Sequence, residues 1–168
     1  AFRFFPLMEH DELGLTLHPF DLATNKALAL VGRLEVRDWI DLIQCHSRIQ
    51  NTGYLMWAAC GKDPGFNPAL ILAEARRSSH YTQADVAELA FHGDPPDLRK
   101  LSVEWKRMLL EAEDFFELLP PERIGACVLD ADGHLFKGDS ASLRNAIEKK
   151  TIRFHSGTLR GAFPSFSV

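Results

Sequence analysis

The chain has 168 residues, 46% of them hydrophobic, enough for one domain or a helical lobe with its own core. With 19 basic and 23 acidic residues the net charge is −4, which excludes a strong overall basic field for nucleic acid. The apolar runs fall well short of about 18 residues, so none reads as a membrane span. The three cysteines, at 45, 60 and 127, show no Cys-x-x-Cys pairing. With no signal peptide in view, the expectation is free thiols in a reducing cytoplasm.

In chain order, Phe2 to Leu7 reads as a short strand ended by Pro6, with Phe2 and Phe4 on one face and Arg3 and Phe5 on the other. Glu9-His10-Asp11-Glu12 is an acidic turn, read as a solvated loop rather than a metal site. Gly14 to His18 alternates as a second strand, with Leu15 and Leu17 inward. From His18 to Leu42 the pattern is two helices joined by a turn at Gly32, with Asp21 as the N-cap of the first and Gly32 as its stop. The first is apolar nearly all round, so Lys26 in its middle must either snorkel to water or meet an anion. The second runs from about Val36 to Gln50. It buries Val36, Trp39, Ile40 and Ile43 and carries Arg37 and Asp41 on one face, with Gln44 and Arg48 beside them. Asp38 points toward the side of Leu42 and Cys45. Cys45-His46 is not a nucleophile and base, because helical neighbours do not face each other.

Tyr54 to Cys60 reads as a short buried helix, and Lys62-Asp63-Pro64-Gly65 as a turn. Asn67 caps a helix with Pro68 at its first position, ending near Arg76-Arg77, whose charge suits the helix dipole. Thr82 with Asp85 opens another helix to about Phe91, and Gly93-Asp94-Pro95-Pro96 is a linker. The longest helix spans Asp97 to Leu119, with apolar residues at threes and fours and Pro120-Pro121 as its stop. The period then changes to two. Gly125 to Leu129 and His134 to Phe136 flank Asp130-Ala131-Asp132-Gly133, a hairpin signal that outweighs a calcium-loop reading. Ser140 or Ser142 starts a helix to about Lys150. Ile152 to Phe154 and the stretch from Arg160 through Phe163 to Phe166 read as an irregular tail packed on the core.

The run Asp-Leu-Ala-Thr-Asn-Lys-x-Leu-Ala-Leu at 21–30, then Gly32-Arg33, then Arg37-Asp38-Trp39-x-Asp41-Leu42, resembles the AbiEii/AbiGii-type nucleotidyltransferases, toxin components of abortive-infection and toxin–antitoxin pairs. The likeness is dense over residues 18–43, including the His-Pro-Phe entry, and thinner beyond residue 50. In that family a lysine helix follows the catalytic sheet and an Arg-Asp helix comes next. The wider group opens with Gly-Ser and an Asp-x-Asp strand whose carboxylates hold metal ions. This chain has no such run before Lys26, and its one Asp-x-Asp, at Asp130 and Asp132, follows about a hundred residues later.

The resemblance implies the C-terminal part of a nucleotidyltransferase-like protein that moves a nucleotide from a nucleoside triphosphate to an acceptor with magnesium. Neither cofactor is expected on this part alone, which would be inactive by itself. Lys26 would bind the triphosphate as a point charge. Arg33 and Arg37 would support it or contact the acceptor. Asp38 would hold one of the arginines rather than a metal, and Asp41 would pair with Arg37. Residues 1–50 would be the remnant of the nucleotidyltransferase domain and 51–168 a C-terminal helical lobe. The expected fold is mainly α (α+β), with a β-hairpin near the C-terminus and a short N-terminal strand pair left over from the sheet. An antitoxin, or an RNA or protein acceptor, is the implied partner. Strand edges left open near the N-terminus predict self-association through the first 18 residues as a symmetric homodimer. The rival reading is a non-catalytic helical protein-interaction module.

Overall fold

The computed structural model describes residues 2–78 and 80–159. The fold is mainly α, with seven α-helices among the described residues and three separate two-stranded sheets. Strands β1 (Phe2–Arg3), β2 (Met8–His10) and β3 (Gly14–Thr16) come first, then α1 (Pro19–Arg33) and α2 (Val36–Arg48). Next are α3 (Thr52–Ala59), α4 (Pro68–Arg77), α5 (Gln83–Ala87) and α6 (Leu98–Leu118). A 3-10 turn at Pro121–Arg123 leads to β4 (Ala126–Leu129), α7 (Ser140–Glu148), β5 (Arg153–Ser156) and β6 (Thr158–Leu159).

The centre is α3, a helix with every residue buried, as expected of one that is apolar all round. It packs against α1 and α6. Gly53 makes the second contact possible: a Cβ there would lie 2.6 Å from Phe115 Cδ2 and 2.8 Å from the Ala112 Cα. One cluster of buried side chains runs from Phe4, Phe20 and Trp39 to Trp105 and Cys127, so residues on both sides of position 50 share it. A second holds Tyr54, Trp57, Phe115 and Leu143.

Several ends depart from the pattern reading. Helix α1 runs through Gly32, where a Cβ would meet nothing within 4 Å, and stops at Leu34 in the left-handed region, φ 55°. The Leu34 N–H donates to the Leu30 carbonyl at 2.7 Å, and its own carbonyl accepts the Tyr81 hydroxyl at 2.6 Å. A surface Gly within a helix costs only about 1 kcal/mol, and packing of the apolar stripe overrides it. Asp21 is not the N-cap. With Pro19 in the first turn, the His18 Nδ1 accepts the Phe20 N–H at 3.1 Å.

The strand expected over Phe2 to Leu7 ends after Arg3 and does not pair with the one that begins at Gly14. β1 lies antiparallel to β6, with Phe2 opposite Leu159, and β2 pairs with β3 as a separate hairpin. Leu15 is 67% exposed, not inward, while Phe4 is buried. At the other end the Asp130–Gly133 turn forms, held by the Asp130 N–H to the His134 carbonyl at 2.8 Å and a single Leu129–Leu135 bridge. The ladder of β4, however, is with β5, across Cys127 and His155. Residues 152–159 thus contribute strands rather than an irregular tail; Arg160, Phe163 and Phe166 lie outside the described residues. The capped starts at Asn67 and Thr82 are present, Thr82 with a full capping box, and Asp97, expected as the first residue of the long helix, caps it instead. Helix α5 ends at Ala87 rather than near Phe91.

Candidate functional site

The face made by α1 and α2 gathers the residues singled out for function. Lys26 turns toward α2, where its ammonium meets Asp38 Oδ1 at 3.3 Å and Asp41 Oδ2 at 2.7 Å. Arg33 reaches the other oxygen of Asp38 at 2.7 Å. Asp38 is buried, so its charge depends on these two cations. Asp41 bonds Lys26, not Arg37, and Asp38 shares that lysine instead of pointing away from it. The two carboxylates are three apart on α2, which is close enough for one ammonium to bridge both. The hydrogen bond that Lys26 donates to Asp41 is the main influence raising it above the usual lysine value, with partial burial pulling the other way.

Arg37 is exposed and makes no ion pair among the described residues; the same holds for Arg48. They flank a pocket of about 410 Å³, whose α2 wall is the ridge Arg37, Asp41, Gln44 and Arg48 and whose far wall is the segment from Leu89 to His92. A second pocket, about 300 Å³, lies on the other side of the ridge and is lined by Lys26, Leu22, Cys45 and Ile49 together with Asp41, Gln44 and Arg48. Three cations, Lys26, Arg37 and Arg48, therefore border a pair of pockets with one carboxylate, Asp41, already bound to Lys26. Arg48 is the site residue that the sequence reading left unassigned; its place four and eleven positions after Gln44 and Arg37 was the available signal. Burial pushes the Cys45 thiol up, which keeps it a neutral wall group. His46 faces away. Its Nδ1 accepts the Thr52 N–H at 3.0 Å, and burial beside Arg107 lowers its pKa.

A buried ion pair behind this face escaped the sequence reading. Asp21, fully buried, accepts the backbone N–H of Phe4 at 3.0 Å and of Phe5 at 3.0 Å. The Lys62 ammonium completes it at 2.8 Å and also donates to Asn25 Oδ1 at 2.9 Å. Lys62 sits in the expected turn between α3 and α4, and its side chain reaches back to α1. Burial lowers its pKa, opposed by Asp21.

Magnesium does not fit the α1–α2 face. A two-metal site needs converging carboxylates with oxygens to spare, and here Asp38 and Asp41 converge on an ammonium. The described residues hold one trio whose ligand atoms approach within 4.8 Å, Asp130, Asp132 and His134 on the β4 turn. Its central oxygen, Asp130 Oδ1, is occupied by the N–H groups of Asp132 and His134 at 2.9 and 3.0 Å. No described helix is long and apolar enough to cross a membrane.

Comparison with known protein families, curated proteins and solved structures finds no match to this chain.

Proposed function

We propose that this chain is part of a nucleotidyltransferase-like protein, that the whole protein transfers a nucleotide from a nucleoside triphosphate to an acceptor, and that the α1–α2 face lies against the triphosphate. The observation that supports this reading most is the charge arrangement. A chain of net charge −4 gathers Lys26, Arg37 and Arg48 around two adjoining pockets, with Arg33 behind them. Guanidinium forks pair with phosphate oxygens in a bidentate way, and Lys26 adds a point charge. Asp38 and Asp41 orient Lys26 at the lip. Metal ions, where the chemistry uses them, would be held by other residues, since these two carboxylates are engaged. The free cysteines suit a reducing cytoplasm.

The second reading, a helical interaction module, draws on the same lysine: an ammonium held by two carboxylates is also how two helices are stapled together. Both pockets are lined by this chain alone, so, against the expectation that it holds no nucleotide by itself, calorimetric titration of the chain with a non-hydrolysable nucleoside triphosphate, with and without magnesium, separates the two. The nucleotidyltransferase reading predicts saturable binding that falls at least about tenfold in Arg37→Glu and Arg48→Glu with unchanged melting, and in Lys26→Ala with lowered melting, because buried Asp38 then keeps only Arg33. Absence of binding, or equal binding in all three variants, favours the module.

A further inference from the structure

The face of α6 on the opposite side from α2 carries a repeat that neither reading uses. Val103, Lys106, Leu110, Glu113 and Glu117 follow one another at alternating steps of three and four, a single ridge of the helix. Its two apolar members stand in solvent: Val103 is 71% exposed and Leu110 63%. Lys106 and Glu117 are exposed and make no ion pair among the described residues, whereas Glu113 is held by Arg76 of α4 at 2.9 Å. Beside the Glu117 end, α4, α6 and the 3-10 turn border a cavity of about 570 Å³ lined by Trp57, Leu72, Phe116 and Ile124. Beside the other end lies a smaller apolar hollow of about 280 Å³ at Arg76, Lys106, Leu109 and Leu110.

We propose that this ridge is a dimer interface and that its occupant is a second copy of the same chain, with the two α6 helices crossing antiparallel about a two-fold axis. The pattern is self-complementary. In a two-fold contact residue i meets residue j and j meets i. An axis midway between positions 106 and 117 sets Lys106 of each copy against Glu117 of the other, so both unpaired charges are satisfied twice over. The same operation brings the protruding Val103 of one copy to the end of α6 where the other copy has its large apolar cavity. Lys106 and Glu117 are eleven residues apart, about 16 Å along the helix. Three turns of antiparallel helix therefore separate the two ion pairs, with Leu110 of both copies between them. A partner of another kind would need to supply the same charge pattern in reverse; a second copy has it already.

Sedimentation equilibrium on the intact chain should show a reversible monomer–dimer equilibrium. Lys106→Glu and Glu117→Lys, each alone, should weaken association at least about tenfold by opposing like charges. The double variant K106E/E117K should dimerise again. Mixing the two single variants should also restore dimers, because one copy then carries a carboxylate at both positions and the other an ammonium at both. A monomer at all concentrations overturns the proposal. So does a dimer indifferent to both reversals, or one abolished by Leu15→Glu in the β2–β3 hairpin while the α6 variants leave it intact, which would place the interface at the N-terminal strands. Circular dichroism of each variant separates loss of pairing from loss of fold.

Discussion

Replacing Lys62 by Met should be among the most damaging single changes to this chain, although Lys62 sits in what reads as a turn. Met keeps most of the apolar stem beside Phe4, over whose ring the ammonium lies at 5.6 Å, and removes only the charge. What remains is the carboxylate of Asp21, fully buried, with two backbone N–H donors and no counter-ion. Breaking a buried pair from one side typically costs about 3–5 kcal/mol. For a domain of this size each kcal/mol moves the midpoint by about 2–4 °C, so the melting temperature should fall by roughly 6–20 °C. The double variant D21N/K62M carries no stranded charge, and its amide oxygen still accepts from Phe4 or Phe5, so it should be more stable than K62M alone. Urea unfolding followed by fluorescence of the buried Trp39, Trp57 and Trp105 measures all of these. A Lys62→Met variant within about 0.5 kcal/mol of the parent, or a double variant no better than the single, would refute the reasoning.

Two histidines accept a backbone N–H at a helix start, His18 from Phe20 and His46 from Thr52, and burial lowers the pKa of both. Each folded-state value lies below the ordinary 6.5, so the unfolded chain takes up the protons first. Their contribution to stability is whole above that value and is lost as pH falls through it toward the folded-state values. Equilibrium unfolding from about pH 7.5 to about pH 5 should show this loss, and His46→Gln, an acceptor that does not titrate, should flatten part of it; identical pH profiles for parent and variant would contradict the assignment. Gly61→Ala should destabilise by about 1–3 kcal/mol, because its Cβ would stand 2.3 Å from the Gly125 carbonyl oxygen where the backbone leaves α3 beside β4. An unchanged denaturation midpoint would mean that the close approach is not needed.

Much of the helical framework was legible because local chemistry and burial agree. Asn67 and Thr82 cap where Pro68 and Asp85 say they should, and the stripe from Trp105 to Phe115 is buried as its period requires. The misreadings come from partners distant in sequence. Nothing near Phe2 announces Leu159, and nothing in the Asp-Gly turn announces that Arg153–Ser156 takes the ladder of β4. Asp21 has the residue type and position of a cap, yet it faces Lys62, 41 positions away, through a contact that no window contains. At the candidate site the residue types were readable and their pairing was not. Periodicity placed Lys26 on an apolar helix that had to find an anion, but a helical wheel for α2 alone paired Asp41 with Arg37. The presence of α1 gives Asp41 a better-placed cation in Lys26.

Whether a triphosphate lies against α1 and α2 is tested most directly by amide chemical-shift mapping of the labelled chain with a non-hydrolysable nucleoside triphosphate. Saturable shifts should group at Lys26, Arg33, Arg37, Gln44 and Arg48 and at the facing segment from Leu89 to His92, with the α4–α6 face unmoved. Saturation without shifts at these residues, or shifts centred elsewhere, would contradict the placement of the triphosphate on this face.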